Sequence, residues 1–302
     1  MLGVSTRRVD KLVKSLGLDG VSKSQVSRMA GELDEQVEAF RERRLPARYP
    51  YVWLDAVAIK VREDKRVVSI ATVVAVGVRE DGRREVLGVD AFTAEDGAAW
   101  KAFLRGLINH NLTKIKLVIS DAHPGLRQAI AEAFPGACWQ RCRTHFTRNL
   151  LTRVPKRAQS IVGTAIRTVF AQPDATAVEK QYAAVMANLE KSWPAAAELL
   201  EEAQEDVLAF RHFPKQHWRQ IWSNNPLERL NKEIRRRTNV VGIFPNRAAL
   251  LRLVGAMLAE LDDEWQESRR CMSLESMQRI LDTPSVVEDD QTGNQLAFEQ
   301  AA

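Results

Sequence analysis

The chain's 302 residues, 45% hydrophobic and 27% charged, suit a globular protein with one large core or two modest ones. The longest apolar run, 67–78, is broken by Ser69 and Thr72, the N-terminus is polar and basic, and the three cysteines cannot build a disulfide framework. Membrane, exported and disulfide-stapled classes are therefore set aside for an expected cytoplasmic protein. The net charge is +5, but residues 1–279 hold 44 basic and 34 acidic residues, a net of +10, ahead of a tail with acids alone; that distribution favours a polyanionic partner.

Val9, Leu12, Val13 and Leu16 form a helical stripe that Gly17 ends. After the turn at 18–22, with Ser22 as its cap, a second helix carries Val26, Met29 and Leu33. Lys23, Gln25, Ser27 and Arg28 lie early in it, which gives residues 1–44 the form of a helix-turn-helix DNA-binding segment. A helical hairpin that only packs on the next domain fits the same pattern. Residues 41–50 are a charged, proline-punctuated linker. Three strands follow at 51–61, 67–78 and 84–90, separated by short polar turns, then a helix over 96–107 with Trp100, Phe103, Leu104 and Leu107 on one face. A short strand at 115–119 ends at Ser120-Asp121. Strand–strand–strand–helix–strand is the order of a ribonuclease-H-like mixed α/β sheet, in which the fourth strand lies beside the first. From 148 to about 210 the pattern is helical, and 225–237 is a further helix. The tail after Asp282 lacks periodicity and is expected to be disordered.

Three acids stand out, each with an ordinary alternative. Asp55 shares a strand face with Trp53, Val57 and Ile59, where an ionised carboxylate needs a metal ion, an arginine or backbone donors. Asp121 follows a strand end, the place where ligands gather in open sheets, and equally the place for a cap on a helix beginning near Gly125. Glu228 follows Asn225 and Pro226, so Asn225 as N-cap, a capping box closed by Glu228, and a Glu228–Lys232 pair would account for it without chemistry. As a set the three make a different case. Neighbouring carboxylates repel unless divalent cations neutralise them, and oxygen ligands favour Mg²⁺ or Mn²⁺; two such ions activate a water or 3′-hydroxyl in phosphodiester cleavage.

Cations surround these acids. Arg229, Lys232 and Arg236 recur along the helix of Glu228, with Arg235 nearby and Leu227, Leu230 and Ile234 opposite; a DNA-facing surface or a solvated helix face would have this pattern. Cys138-Trp-Gln-Arg-Cys142-Arg-Thr-His145 offers at most three close zinc ligands, fewer than a structural site needs without His123 from another loop. A packed, reduced cluster with Arg141, Arg143 and Arg148 turned to DNA fits it better. Phosphate-loop, dinucleotide and serine-hydrolase motifs are missing, so those enzyme classes lose support.

Taken together, Tyr51-Val-Trp-Leu-Asp55-Ala, Ser120-Asp121-Ala-His-Pro-Gly-Leu126, Cys142-Arg-Thr-His145 and Ser223-Asn-Asn-Pro-Leu-Glu228-Arg-Leu-Asn-Lys-Glu-Ile-Arg-Arg-Arg-Thr238 resemble the Mutator-like family of bacterial insertion-sequence transposases. The resemblance runs to about residue 270. It implies a ribonuclease-H-like core in two parts, 45–147 and 215–270, interrupted by a helical insertion at 148–214 and followed by a C-terminal segment at 271–302. It makes Asp55, Asp121 and Glu228 the DDE ligands of two Mg²⁺ or Mn²⁺ ions. Cys142 and His145 match the family's Cys-x-x-His signature, with a structural or DNA-contacting role. The implied activity is cleavage at terminal inverted repeats and transfer of the 3′ ends into target DNA, by a homodimer or higher synaptic oligomer associated with the nucleoid. Family members carry more sequence ahead of the helix-turn-helix-like region, so an N-terminally truncated copy is one expectation. A non-catalytic DNA-binding regulator and a stand-alone ribonuclease-H-like nuclease are the competing readings.

Overall fold

Long runs of β-branched residues on either side of Asp64-Lys65 build the centre of the molecule. The structure, a computed structural model, describes residues 22–282. Strand β1 (Tyr51–Glu63) returns as β2 (Arg66–Val78) through a two-residue turn in which Asp64 and Lys65 take φ of 48° and 63°, the twist that a tight hairpin requires. Strand β3 (Arg84–Phe92) completes the antiparallel meander. Strands β4 (Leu117–Ser120) and β5 (Cys138–Arg141) add on the other side of β1, parallel to it, giving a mixed sheet of order β3-β2-β1-β4-β5 among the described residues. The three-strand meander and the pairing of the fourth strand with the first follow the expectation. Strand β4 starts two residues later than expected, and β5 was not expected: it is four residues long and hides a glutamine.

Side-chain alternation along β1 divides the core into two layers. Val52 and Leu54, with Val118 of β4, face helix α2 (Gly97–Asn109) and helix α3 (Pro124–Ala133), whose Trp100, Phe103, Leu104, Leu107, Leu126 and Ile130 cover that side. Tyr51, Trp53 and Val57, with Leu117 and Ile119, face the opposite layer. There lie α4 (Arg143–Leu151), α5 (Lys156–Val169), α6 (Ala175–Glu190) and α7 (Pro194–Leu208). Tight turns at Ala209–His212 and Lys215–His217 lead through the short α8 (Trp218–Ile221) to α9 (Asn225–Val241) and α10 (Arg247–Glu267). The last described helix is α11 (Leu274–Asp282). Helix α9 runs four residues beyond its expected end, and α10 and α11 had no sequence-based assignment.

The second helix of the expected DNA-reading segment is present as α1 (Lys23–Arg41), with a capping box between Ser22 and Gln25. It packs against α10, where Arg252 pairs with Asp34 and Gly255 lies under Val37. The first helix of that segment and the acidic tail lie outside the described residues.

Helices α2 and α3 meet backbone to backbone at their first turns. A Cβ on Gly125 would stand 2.6 Å from the nitrogen and 2.9 Å from the Cα of Gly97, neither of which can swing away. A Cβ on Gly97 would meet only ordinary contacts at 3.5 and 3.7 Å. Gly125→Ala is therefore expected to cost about 1–3 kcal/mol in urea denaturation, as overpacking does, and Gly97→Ala to be neutral or mildly stabilising.

Candidate active site

The first two acids are brought together by strand register. Trp53 pairs with Ile119 across the parallel β1–β4 ladder, so Asp55 and Asp121 each sit two residues further on, side by side where β4 ends. Trp53 and Ile119, two residues earlier on each strand, face the layer of α4 to α10. Asp55 Oδ1 accepts from its neighbour Ala56 N–H at 2.9 Å, and Oδ2 accepts from Asn231 Nδ2 at 2.8 Å. Burial pushes the Asp55 carboxyl up to about 6; Ala56 N–H and the charge of His145 pull the other way, while Asp121 and Glu95 add to the rise. Asp121 accepts from Ala122 N–H and does not cap α3, whose cap position is His123.

Glu228 comes from α9. The capping box does not form: the cap position is Asn224 rather than Asn225, and it makes no side-chain cap bond. Its Nδ2 donates instead to the Leu54 carbonyl at 3.2 Å. Asn224, Glu228 and Asn231 stand at i, i+4 and i+7, one face of the helix, and the outer two touch β1 at Leu54 and Asp55. Glu228 is thus carried over the Asp55 segment between two anchoring asparagines. No Glu228–Lys232 ion pair forms; Arg236 and Arg237 close on Glu233. Glu228 Oε1 is buried and has no hydrogen-bond partner. As the side chains lie, no group of three or more His, Cys, Asp or Glu among the described residues is closed around a metal-sized position.

Cys142 and His145 open α4 beside these acids. Cys142 is fully buried, and its Sγ accepts from Asn224 N–H at 3.2 Å, tying the start of α4 to the start of α9. His145 is pushed up to about 9, first by the neighbouring Cys142 and then by the charges of Asp121 and Asp55, against its partial burial. Arg143 N–H donates to the Trp222 carbonyl, and its guanidinium lies 4.6 Å over the Trp222 ring and 4.9 Å over Phe170. Arg141 lies over Phe146, and burial lowers its pKa against the opposing charges of Asp121 and Asp206.

Of the other cations named from the sequence, Arg148, Arg229, Lys232, Arg235 and Arg236 are exposed, and Arg28 is exposed beside Glu32. Lys23 lies in the first turn of α1. Sequence reasoning missed Asn224 and Asn231. Their spacing to Glu228 was the available signal, hidden because asparagine near a helix start reads as a cap.

An Asp pair just beyond two adjacent parallel strands thus lies beside a later helix that carries Glu228 and exposed cations. Residues 1–268 match the family model described as "Transposase, Mutator family". The transposase for insertion sequence element IS1081 of Mycobacterium tuberculosis is 55% identical over 281 residues, covering 92% of this chain and 68% of that protein. The transposase for element IS406 of Burkholderia multivorans is 42% identical, covering 88% of this chain and 69% of its own length. The transposase for IS256 in transposon Tn4001 of Staphylococcus aureus is 37% identical, covering 89% and 69%. The chain belongs to the Mutator family of transposases, enzymes that cleave DNA and transfer its strands. Among the described residues, no helix is long and apolar enough to cross a membrane.

Proposed function

We propose that Asp55, Asp121 and Glu228 are the metal-holding acids of this transposase, on a ribonuclease-H-like core formed by 45–147 and 215–270 with 148–214 inserted. The observation that carries the reading is one of placement: Asp55 and Asp121 each lie two residues beyond the paired Trp53 and Ile119, and Glu228 lies on the α9 face that touches Leu54 and Asp55. The residues fit a divalent cation. The donors are hard carboxylate oxygens, the charge of Asp121 adds to the cost of ionising Asp55, and Glu228 has a buried oxygen without a partner. Mg²⁺ or Mn²⁺, as a pair of ions, would supply the activation of a water or 3′-hydroxyl and the neutralisation of the leaving oxygen.

The chain's own residues do the rest. Strand register and Asn231 hold Asp55, and Cys142 holds the α9 start. Arg148, Arg229, Lys232, Arg235 and Arg236 offer exposed positive charge to the DNA backbone, with Arg28 and Lys23 on α1 serving the terminal repeats. Arg141 and Arg143, expected from the sequence to face DNA, are better read as cations stacked on the aromatic packing beside the site. Two element ends must be held together for transposition, which supports a dimer or higher synaptic assembly at the nucleoid.

The test is Mg²⁺- or Mn²⁺-dependent cleavage and joining of DNA that carries the element's own ends, comparing wild type with Asp121→Asn. Joined products that vanish in the variant are the expected result. Salt-sensitive binding without products in either protein would identify a regulator, and hydrolysis without joining a nuclease. Equal activity in both proteins would remove Asp121 from the site.

A further inference from the structure

The first two turns of α9 lay a row of amides and one carboxylate on β1, and their hydrogen bonding is lopsided. Asn224 is fully buried and Asn231 is 8% exposed. Each spends its Nδ2 on β1, Asn224 on the Leu54 carbonyl and Asn231 on Asp55 Oδ2. Each leaves its Oδ1 buried without a partner, as Glu228 leaves its Oε1. All three orphaned atoms are acceptors. Amide and carboxylate oxygens cannot satisfy one another.

Turning the amides over does not repair this. An Asn231 rotated end for end would set its oxygen against Asp55 Oδ2, and a rotated Asn224 would set its oxygen against the Leu54 carbonyl. The amide orientations are therefore fixed by what they touch. A buried acceptor left unpaired is destabilising, and these three share one helix face, with the Ser223 hydroxyl beside Asn224 unpaired as well. The water molecules of a hydrated divalent cation bring donors and positive charge together. The Asn231 carboxamide is the one side chain in the row that binds Asp55 directly.

We infer that Asn231 is a positioning residue for the metal site. Its Nδ2 fixes Asp55 Oδ2, and its Oδ1, with that of Asn224, accepts hydrogen bonds from the cation's water. The inference rests on the reading of Asp55, Asp121 and Glu228 as metal-holding acids. It assigns the amides a role that capping and packing do not: they prepare the polar lining before the cation is present, and the cation relieves their unpaired oxygens. Outer partners of this kind typically contribute ten- to hundredfold in metal affinity.

The experiment is Mn²⁺ binding to the full chain, read from the free-ion paramagnetic resonance signal, together with thermal melts recorded with and without Mn²⁺. Wild type, Asn231→Ala, Asn231→Ser and Asp55→Asn are compared; the serine variant keeps a small polar group should the alanine variant fold poorly. The expected result is that Asp55→Asn loses Mn²⁺ binding, while both Asn231 variants bind about ten- to hundredfold more weakly. Their melting temperatures without metal should stay near wild type, with a smaller rise on adding Mn²⁺. Wild-type Mn²⁺ affinity in both Asn231 variants, with binding lost in Asp55→Asn, would overturn the Asn231 inference and leave the acids in place. Wild-type affinity in Asp55→Asn would overturn the metal reading and this inference with it.

Discussion

Glu228→Gln should lose DNA cleavage and strand transfer by about a thousandfold or more, while its melting temperature holds or rises. A thousandfold is about 4 kcal/mol, within what a metal ion supplies at a developing charge once one of its ligands is gone. Stability is the informative half of the experiment. Had Glu228 paired with Lys232, glutamine would weaken the helix by a few tenths of a kcal/mol, whereas a capping box would survive the change. Neither contact forms, and Oε1 is buried with no partner. An amide there removes a charge from a partly buried position between Asn224 and Asn231 on the helix face. Cleavage assays with Mg²⁺ and circular-dichroism melts on one preparation read both halves. Wild-type strand transfer by the variant would take Glu228 out of the metal site.

The sequence made the sheet legible because its strands are runs of strand-forming residues set between polar turns. The 51–61, 67–78 and 84–90 runs are β-branched and bounded by polar turns, and the short strand ending at Ser120 has an apolar core that nothing else could bury. From that order, the adjacency of Asp55 and Asp121 follows from the topology. Strand β5 escaped because Cys138-Trp-Gln-Arg141 has no clear alternation; its buried Gln140 is satisfied by the Val207 carbonyl and the Phe210 N–H, partners some 70 residues away. The helix start before Glu228 failed for a related reason. Local rules give Asn225 the cap, but Asn224 is drawn to the Leu54 carbonyl by a contact across 170 residues. Cap propensity is local, and a tertiary bond displaced it. The cations divide in the same way. Exposed Arg229 and Lys232 follow helix periodicity, whereas the placement of Arg143 over Trp222 and Phe170 depends on the helices between them.

Phe210→Ala should destabilise the protein by about 3–5 kcal/mol and slow catalysis although the residue touches none of the acids. Phe210 is fully buried, stacked on Phe170 at 5.5 Å and edge-on to Trp218 and Trp222 at 5.1 and 5.7 Å. Its N–H is held by Gln140 of β5. The cavity left by alanine would open under the 218–224 segment, which is where α9 is set. Trp222 receives Arg143 N–H, Ser223 receives Trp53 Nε1–H, and Asn224 is bound by Cys142 and Leu54. Loosening that segment shifts the helix that carries Glu228, and a displacement near 1 Å at such a site costs on the order of a hundredfold in rate. Phe210→Leu, which refills most of the volume, should recover much of both losses. The measurements are urea denaturation midpoints and strand-transfer rates taken well below the melting temperature of each variant. A large stability loss with wild-type rate would mean that the aromatic cluster holds the helices together without setting α9. A rate that falls in step with the cavity would mean that the helical layer between β5 and α9 is part of what aligns the third acid.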